Sequence, residues 1–124
     1  MSFSHPSRQN IDGIELKRFC VHPDYKIYGL GSSMLKKVLA ISDFSLPIIS
    51  YSDNRLHNGQ LYINMGFHKC HETKQDYYWV KANKRYHKSA LRKPKGCDLT
   101  ESQLRESEGY RKIYDLGKTK WLLS

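Results

Sequence analysis

A glycine-bearing junction, Lys26-Ile27-Tyr28-Gly29-Leu30-Gly31-Ser32-Ser33, limits what this chain can fold into more than any other stretch. Before it lies an apolar run, Ile14 to Val21, that reads as a strand. After it, Leu30 to Ile41 repeats apolar residues at helical spacing. A strand, a glycine loop and a helix start in that order form an anion site. The first backbone N–H groups of a helix lack intrahelical acceptors, and the aligned peptide dipoles add partial positive charge there. Gly29 and Gly31 let the backbone close on a phosphate without an intervening Cβ, and Lys26 adds a charge at the loop's mouth. The plainer reading of these residues is an ordinary strand-to-helix turn.

The neighbouring segments extend the pattern. His22-Pro23-Asp24-Tyr25 ends the first strand, because proline has no N–H to donate. Most of Met34, Leu35, Val38, Leu39 and Ile41 are expected on one buried face of the helix, with Lys36 and Lys37 on the other. Pro47 to Asp53 reads as a second strand, which makes a βαβ unit with a parallel pair. Ligands of such units bind beyond the carboxyl ends of the strands, so the His22–Gly29 loop and Ser52-Asp53-Asn54 fall at one edge. Leu61, Tyr62 and Met65 predict a short helix closed by Gly66. Strands are expected from Phe67 and over Tyr77–Lys81, with residues 72–76 as their turn. Residues 98–124 read as a helix capped by Asp98 or Thr100, followed by a hairpin. The expected fold is an α/β (α+β) domain, a small mixed sheet around a central βαβ unit, with 1–124 as a single domain. Residues 1–13 lack any periodic pattern and are expected as a flexible arm.

A net charge of +9 points to an acidic partner: nucleic acid, a phosphorylated cofactor or an anionic surface. Much of it is concentrated in residues 81–95, where Lys81, Lys84, Arg85, Lys88, Arg92 and Lys93 surround Tyr86 with no intervening acid. These residues are the nucleic-acid-binding candidates, with Tyr77, Tyr78, Trp79 and Tyr86 available to stack on exposed bases. A merely solvated basic surface is the alternative. Cys20, Cys70 and Cys97 are odd in number and widely spaced, which predicts reduced thiols in a cytoplasm rather than a disulfide framework. Neither they nor the histidines have metal-ligand spacing, so no metal is expected. No apolar run has the length of a membrane span and no signal-peptide core is evident, so no membrane partner is expected.

Two motifs give the chain a resemblance to a known family. The stretch from Val21 to Gly31 resembles the acyl-CoA signature of the GNAT-type N-acetyltransferases, Gln/Arg-x-x-Gly-x-Gly/Ala, with Lys26 at its first position. Leu61-Tyr62-Ile63-Asn64-Met65-Gly66-Phe67 is similar to that fold's second hallmark, a tyrosine-bearing helix ending in Gly-Phe. More narrowly, Glu15–Cys20, Ser50–Asp53, His57–Tyr62, Tyr77–Trp79 and Tyr110–Gly117 resemble a phage-encoded branch of the superfamily. That branch includes Mom-type DNA-modification proteins, which modify the N6 amine of adenine, and domains fused to phage homing endonucleases.

The resemblance implies acetyl-CoA or another acyl-CoA as cofactor. Val21, Lys26, Ile27, Tyr28, Gly29, Leu30, Gly31, Ser32 and Ser33 would hold it. Its pantetheine arm would lie where two parallel strands part near Val21 and Ser50. Tyr62 is the implied acid for the departing thiolate; as a plain residue it is a packed helix tyrosine. Asp53 is the preferred acceptor-side acid, unless it only caps a helix, and His57 and Glu15 are further base candidates. The implied activity is acyl transfer to an amine, a nucleic-acid base or a protein lysine, in a host cytoplasm. The family's fold ordinarily has two helices and three strands before the cofactor strand, and residues 1–13 are too few for them. The chain would then be a minimal version, or be completed by a host protein or second copy, or be a non-catalytic module that binds DNA or inhibits a host protein.

Overall fold

The computed structural model describes residues 1–6, 13–44 and 47–124. They divide into two compact units: Met1–Thr73 with Gly117–Ser124, and the continuous segment Lys74–Leu116. The protein is a mixed α+β structure.

The first unit is a five-stranded sheet carrying helices on one face. In chain order its elements are β1 (Ser2–Ser4), β2 (Ile14–Arg18), α1 (Leu30–Ile41), β3 (Ile48–Asp53), α2 (Gln60–Asn64), β4 (His68–Glu72) and, much later, β8 (Lys118–Leu123). Their order across the sheet is β1-β2-β3-β8-β4. The parallel β2–α1–β3 unit is present, paired at Ile14–Ile48 and Glu15–Ile49. Inserted between β3 and β4, β8 runs antiparallel to both and matches β3 from Ile48–Leu123 to Asp53–Lys118. Leu16, Leu35, Ile48, Met65, Phe67 and Trp121 form the core, with Leu39 and Tyr62 packed against them. α2 closes with the bonds that a glycine past a helix end allows: Gly66 N–H reaches Ile63 O at 3.0 Å and Phe67 N–H reaches Tyr62 O at 2.9 Å.

The second unit comprises β5 (Tyr77–Lys81), β6 (Lys84–His87), a 3₁₀ turn over Lys88–Leu91, α3 (Glu101–Ser107) and β7 (Arg111–Tyr114). Its antiparallel sheet has the order β6-β5-β7. Ala82 and Asn83 both have positive φ, the geometry of a two-residue hairpin turn whose twist suits the flanking strands. Thr100 caps α3 and Gln103 reaches back to complete the capping box. Tyr77, Trp79, Tyr86 and Lys112 share one face of the sheet. α3 covers that face: Lys112 Nζ donates to Ser102 Oγ at 2.6 Å and the Tyr77 hydroxyl to Glu101 Oε1 at 3.3 Å.

Several expectations are corrected. β7 and β8 are not a hairpin, and neither are β4 and β5. In each case the two strands belong to different sheets, and the apparent turns carry the chain from one unit to the other. Paired hydrogen bonds hold these passages: Thr73 N–H to Lys118 O at 2.7 Å in the first unit, Asp115 N–H to Asp76 O at 2.8 Å in the second. Ser2–Ser4, expected in a flexible arm, is a strand against β2, short enough to show no alternation; residues 7–12 of that arm lie outside the described residues. β2 ends at Arg18, so Val21 lies beyond the strand. Ile41 is exposed, because six residues at helical pitch turn it about 120° from Leu35. β6 was hidden by its charged sequence, Lys84-Arg85-Tyr86-His87.

Trp79 is 0% exposed at the centre of the second unit, and its indole Nε1–H has no acceptor among the described residues. An unpaired buried donor costs about 1–3 kcal/mol. Trp79→Ala should therefore destabilise this unit by about 3–5 kcal/mol. Trp79→Phe should cost under about 2 kcal/mol, since the orphaned donor leaves with the lost area. Hydrogen exchange at Tyr77–Lys81 in urea measures both, and equal costs would contradict an unpaired indole.

Candidate functional site

The site grows out of a shortfall in pairing. β2 and β3 are joined only at Ile14–Ile48 and Glu15–Ile49, whereas β3 stays paired with β8 through Asp53. Past Glu15 the parallel strands part, and Ser50 Oγ spans the opening by donating to Leu16 O at 2.9 Å. A cavity of about 170 Å³ opens there between the end of β2 (Leu16–Phe19) and the start of α2 (His57–Tyr62). A second, of about 220 Å³, lies against the glycine loop and is lined by Val21, Ile27–Ser32 and Asn64. Both are walled by Phe19, Leu61 and Met65, so they form one groove from the start of α1 to the end of β2, beside the point where it leaves β3.

At the loop end, Gly29 is the N-cap of α1 with φ +71°, and among the described residues no side chain caps the helix. The first intrahelical bond is Ser33 N–H to Gly29 O at 3.0 Å, so the N–H groups of Leu30, Gly31 and Ser32 precede the helix's own acceptors. A Cβ on Gly29 would meet nothing within 4 Å, whereas one on Gly31 would sit 3.1 Å from Met65 Sδ. Gly29 is thus required by conformation and Gly31 by the packing of α1 on α2. Ser32 Oγ donates to Asn64 O at 2.9 Å, fixing the two helices at the groove's rim. Lys26 stands over the Tyr28 ring at 5.6 Å, and Ile27 and Tyr28 are exposed. Ser33 is also exposed.

At the other end, the Tyr62 ring stacks on Trp121 at 5.4 Å and 9°, and Phe67 meets its edge. Its hydroxyl lies 3.1 Å from Ser50 Oγ and 3.4 Å from Tyr51 O. Since Ser50 gives its one proton to Leu16 O, the tyrosine's proton faces the Ser50 oxygen or the Tyr51 carbonyl. Gly59 is the N-cap of α2 at φ +79°; in the sequence only the Asn58-Gly59 pair, a turn signal, marks it. A Cβ there would fall 2.0 Å from Trp121 Cζ2. Asn58 Oδ1 accepts the Gln60 N–H beside it, at 3.1 Å.

The three acceptor-side candidates separate. His57 lines the groove. Asp53 is occupied in a turn, its Oδ1 accepting the Arg55 N–H at 2.9 Å and its carbonyl the N–H groups of Leu56 and His57. Glu15 alternates with Leu16 on β2, lies on the other face of the sheet and pairs with Lys17 at 2.8 Å.

The basic segment does not form one patch either. Lys81 and Lys84 lie over the rings of Tyr110 and Tyr86, on the face that α3 covers. Arg85 alternates to the opposite face and lies 4.5 Å over the Tyr78 ring. Lys93 Nζ is tied to the carbonyls of Cys97 and Leu99, and the Arg92 carbonyl accepts from Arg105. Lys88 Nζ holds both oxygens of Asp76, at 2.7 and 2.8 Å. This ammonium, with the Tyr77 N–H, holds the Asp76 carboxyl below the usual range, and the same contact raises Lys88. Burial, then the Glu101 carboxylate, raises Tyr77.

Among the described residues no histidine, cysteine and carboxylate cluster is placed to hold a metal ion, and no helix is long and apolar enough to cross a membrane. No protein-family model and no curated protein matches the chain.

Two outcomes follow. Gly29→Ala carries only the left-handed strain, about 1 kcal/mol, while Gly59→Ala adds overlap with a buried indole and should cost about 3 kcal/mol or more. Thermal unfolding of the pair decides this, and comparable losses would contradict the close approach of Trp121. In the second unit, the lowered Asp76 means that the folded state binds fewer protons than the unfolded chain. Its stabilisation is complete above about pH 4 and fades as pH falls through the lowered value. Asp76→Asn should flatten that acid limb in urea titrations, by a small amount because both partners are well exposed. An unchanged limb would show the pair to be idle.

Proposed function

We propose that the chain is an acyl-CoA-dependent transferase of the GNAT type, acting on an amine. The observation that carries this reading is the groove itself: it runs from beside a parallel pair that parts after two matched residues, along one wall, to a helix start with no side-chain cap among the described residues. These features fit an acyl-CoA. The N–H groups of Leu30 to Ser32, with Lys26 nearby, suit its diphosphate. The parted strand edges suit an extended amide chain, which can pair as an added strand would. Phe19, Leu61 and Met65 give that chain an apolar floor.

When bound, an acyl-CoA supplies a thioester carbonyl open to attack by an amine. The protein's part is chiefly to hold the reactants together. Tyr62, its ring fixed by Trp121, would turn its hydroxyl proton from the Ser50 oxygen or the Tyr51 carbonyl to the leaving sulfur. Of the acceptor-side candidates His57 is best placed to take the amine's proton, since it lines the groove while Asp53 and Glu15 are engaged elsewhere. The charge of +9 favours a DNA base over a protein lysine as acceptor. An adenine amine would have to leave the duplex to reach the groove. The second reading, a non-catalytic module, requires the groove to be empty of function.

Calorimetry with CoA and acetyl-CoA separates the two. Gly29→Asp keeps a residue that tolerates positive φ but sets a carboxylate at the start of α1. Wild type should bind, and the variant should bind at least about tenfold more weakly with a melting temperature no lower than that of Gly29→Ala. A wild type that binds neither ligand would overturn the transferase reading.

A further inference from the structure

The second unit has a face that its own helix does not cover. α3 and Tyr110 pack against the side carrying Tyr77, Trp79 and Tyr86. Strand alternation sends the intervening residues to the other side, and the register arranges them in two rows. Val80 stands between Arg85 and Arg111, and Tyr78 stands between His87 and Ile113. Arg85, His87, Arg111 and Ile113 are exposed, Ile113 at 56%.

The rows differ in chemistry. In the first, the backbones of two arginines lie about 10 Å apart, one strand either side of Val80. Neither makes an ion pair with a carboxylate among the described residues, and the face carries no acid. In the second, about 7 Å along the strands, the Tyr78 ring is flanked by an imidazole and an aliphatic side chain. Arg85 lies over one face of that ring at 4.5 Å and His87 stands roughly perpendicular to it at 5.8 Å, so a base would stack there as the guanidinium turns from the ring to a phosphate. His87 is itself steadied by Ser89, whose hydroxyl lies 2.7 Å from Nδ1.

We infer that this open face binds single-stranded DNA, with phosphates on the Arg85–Arg111 row and bases stacked on the Tyr78 row. A polyanion satisfies two guanidiniums that have no carboxylate partner among the described residues, and a flat ring beside an imidazole and Ile113 suits any base. Duplex DNA shows the protein phosphates and groove edges but no free base faces. The inference rests on the proposed transferase reading only in choosing DNA over RNA. The binding set is not the one that the basic run suggests: of its lysines and arginines only Arg85 contributes, and Tyr78 and Arg111 come from strands either side.

Fluorescence anisotropy with a labelled oligothymidylate tests this without any cofactor. Loss of CoA binding would leave this surface standing, and failure here would leave the groove. Tyr78→Ala should weaken binding about tenfold and Tyr78→Phe less than about twofold. Arg85→Ala with Arg111→Ala should reduce the slope of log affinity against log salt by about 1.4, or 0.7 per phosphate contact. Lys36→Ala with Lys37→Ala on α1 removes equal charge and should leave the slope unchanged. Both arginines are exposed, so their variant keeps the test alive if Tyr78→Ala unfolds. No salt-dependent binding by wild type, an equal loss in the α1 control, or no effect of Tyr78→Ala in a folded protein would each overturn the proposal. Tighter binding to oligouridylate would overturn the choice of DNA, and tighter binding to duplex would overturn the stacking platform.

Discussion

Trp121 is the residue on which the first unit turns. It is buried on the last strand, its indole N–H donates to Ser52 Oγ at 2.8 Å, and its ring lies flat against Tyr62. One side chain thereby joins the centre of the sheet to the short helix above it. Five helical residues cannot hold themselves in water, because nucleating a helix costs more than so few bonds return. α2 exists because the sheet presents an aromatic surface for it. The same ring leaves room only for glycine at position 59. The entry angle of α2 and the position of the tyrosine hydroxyl are therefore set by a residue from the far end of the chain.

The groove depends on the opposite kind of constraint, an interaction that stops. Had β2 and β3 stayed paired along their length, the backbone groups between them would be used up and the sheet would be closed. Instead β3 is held on its other edge by β8 through all six of its residues while its pairing with β2 ends at Glu15–Ile49. Ser50 bridges the narrow end of the opening to Leu16, and the Tyr62 hydroxyl meets β3 beside it. A site of this kind is made from backbone, so the side chains lining it can be ordinary: Phe19, Leu61, Met65.

What could be seen in the sequence was what depends on neighbours in the chain. The βαβ unit follows from Ile14–Arg18, the α1 stripe and Ile48–Asp53, each with its own periodicity; the end of α2 follows from Gly66, and the capping box from Thr100 and Gln103. What could not be seen depends on partners far away. Residues 73–76 and 115–118 have turn composition, and nothing local distinguishes a turn that reverses a strand from one that leaves a sheet. The basic run 81–95 looks like a single patch because sequence shows charge without facing; a pleat and a helix then send its members to different surroundings. Tyr62 was legible as a site residue, but the requirement at Gly59 was not, because the ring that imposes it lies on β8.

The strand order has a consequence for biosynthesis. Residues 74–116 form a unit from uninterrupted chain, so its contacts are all available once that segment has been made. The sheet of the first unit lacks the strand between β3 and β4 until residues 118–123 follow. On a ribosome, β3 and β4 are thus left with unpaired inner edges while the whole later segment is translated, and the half-built sheet must wait for its middle. The unit that begins first is the one that is completed last.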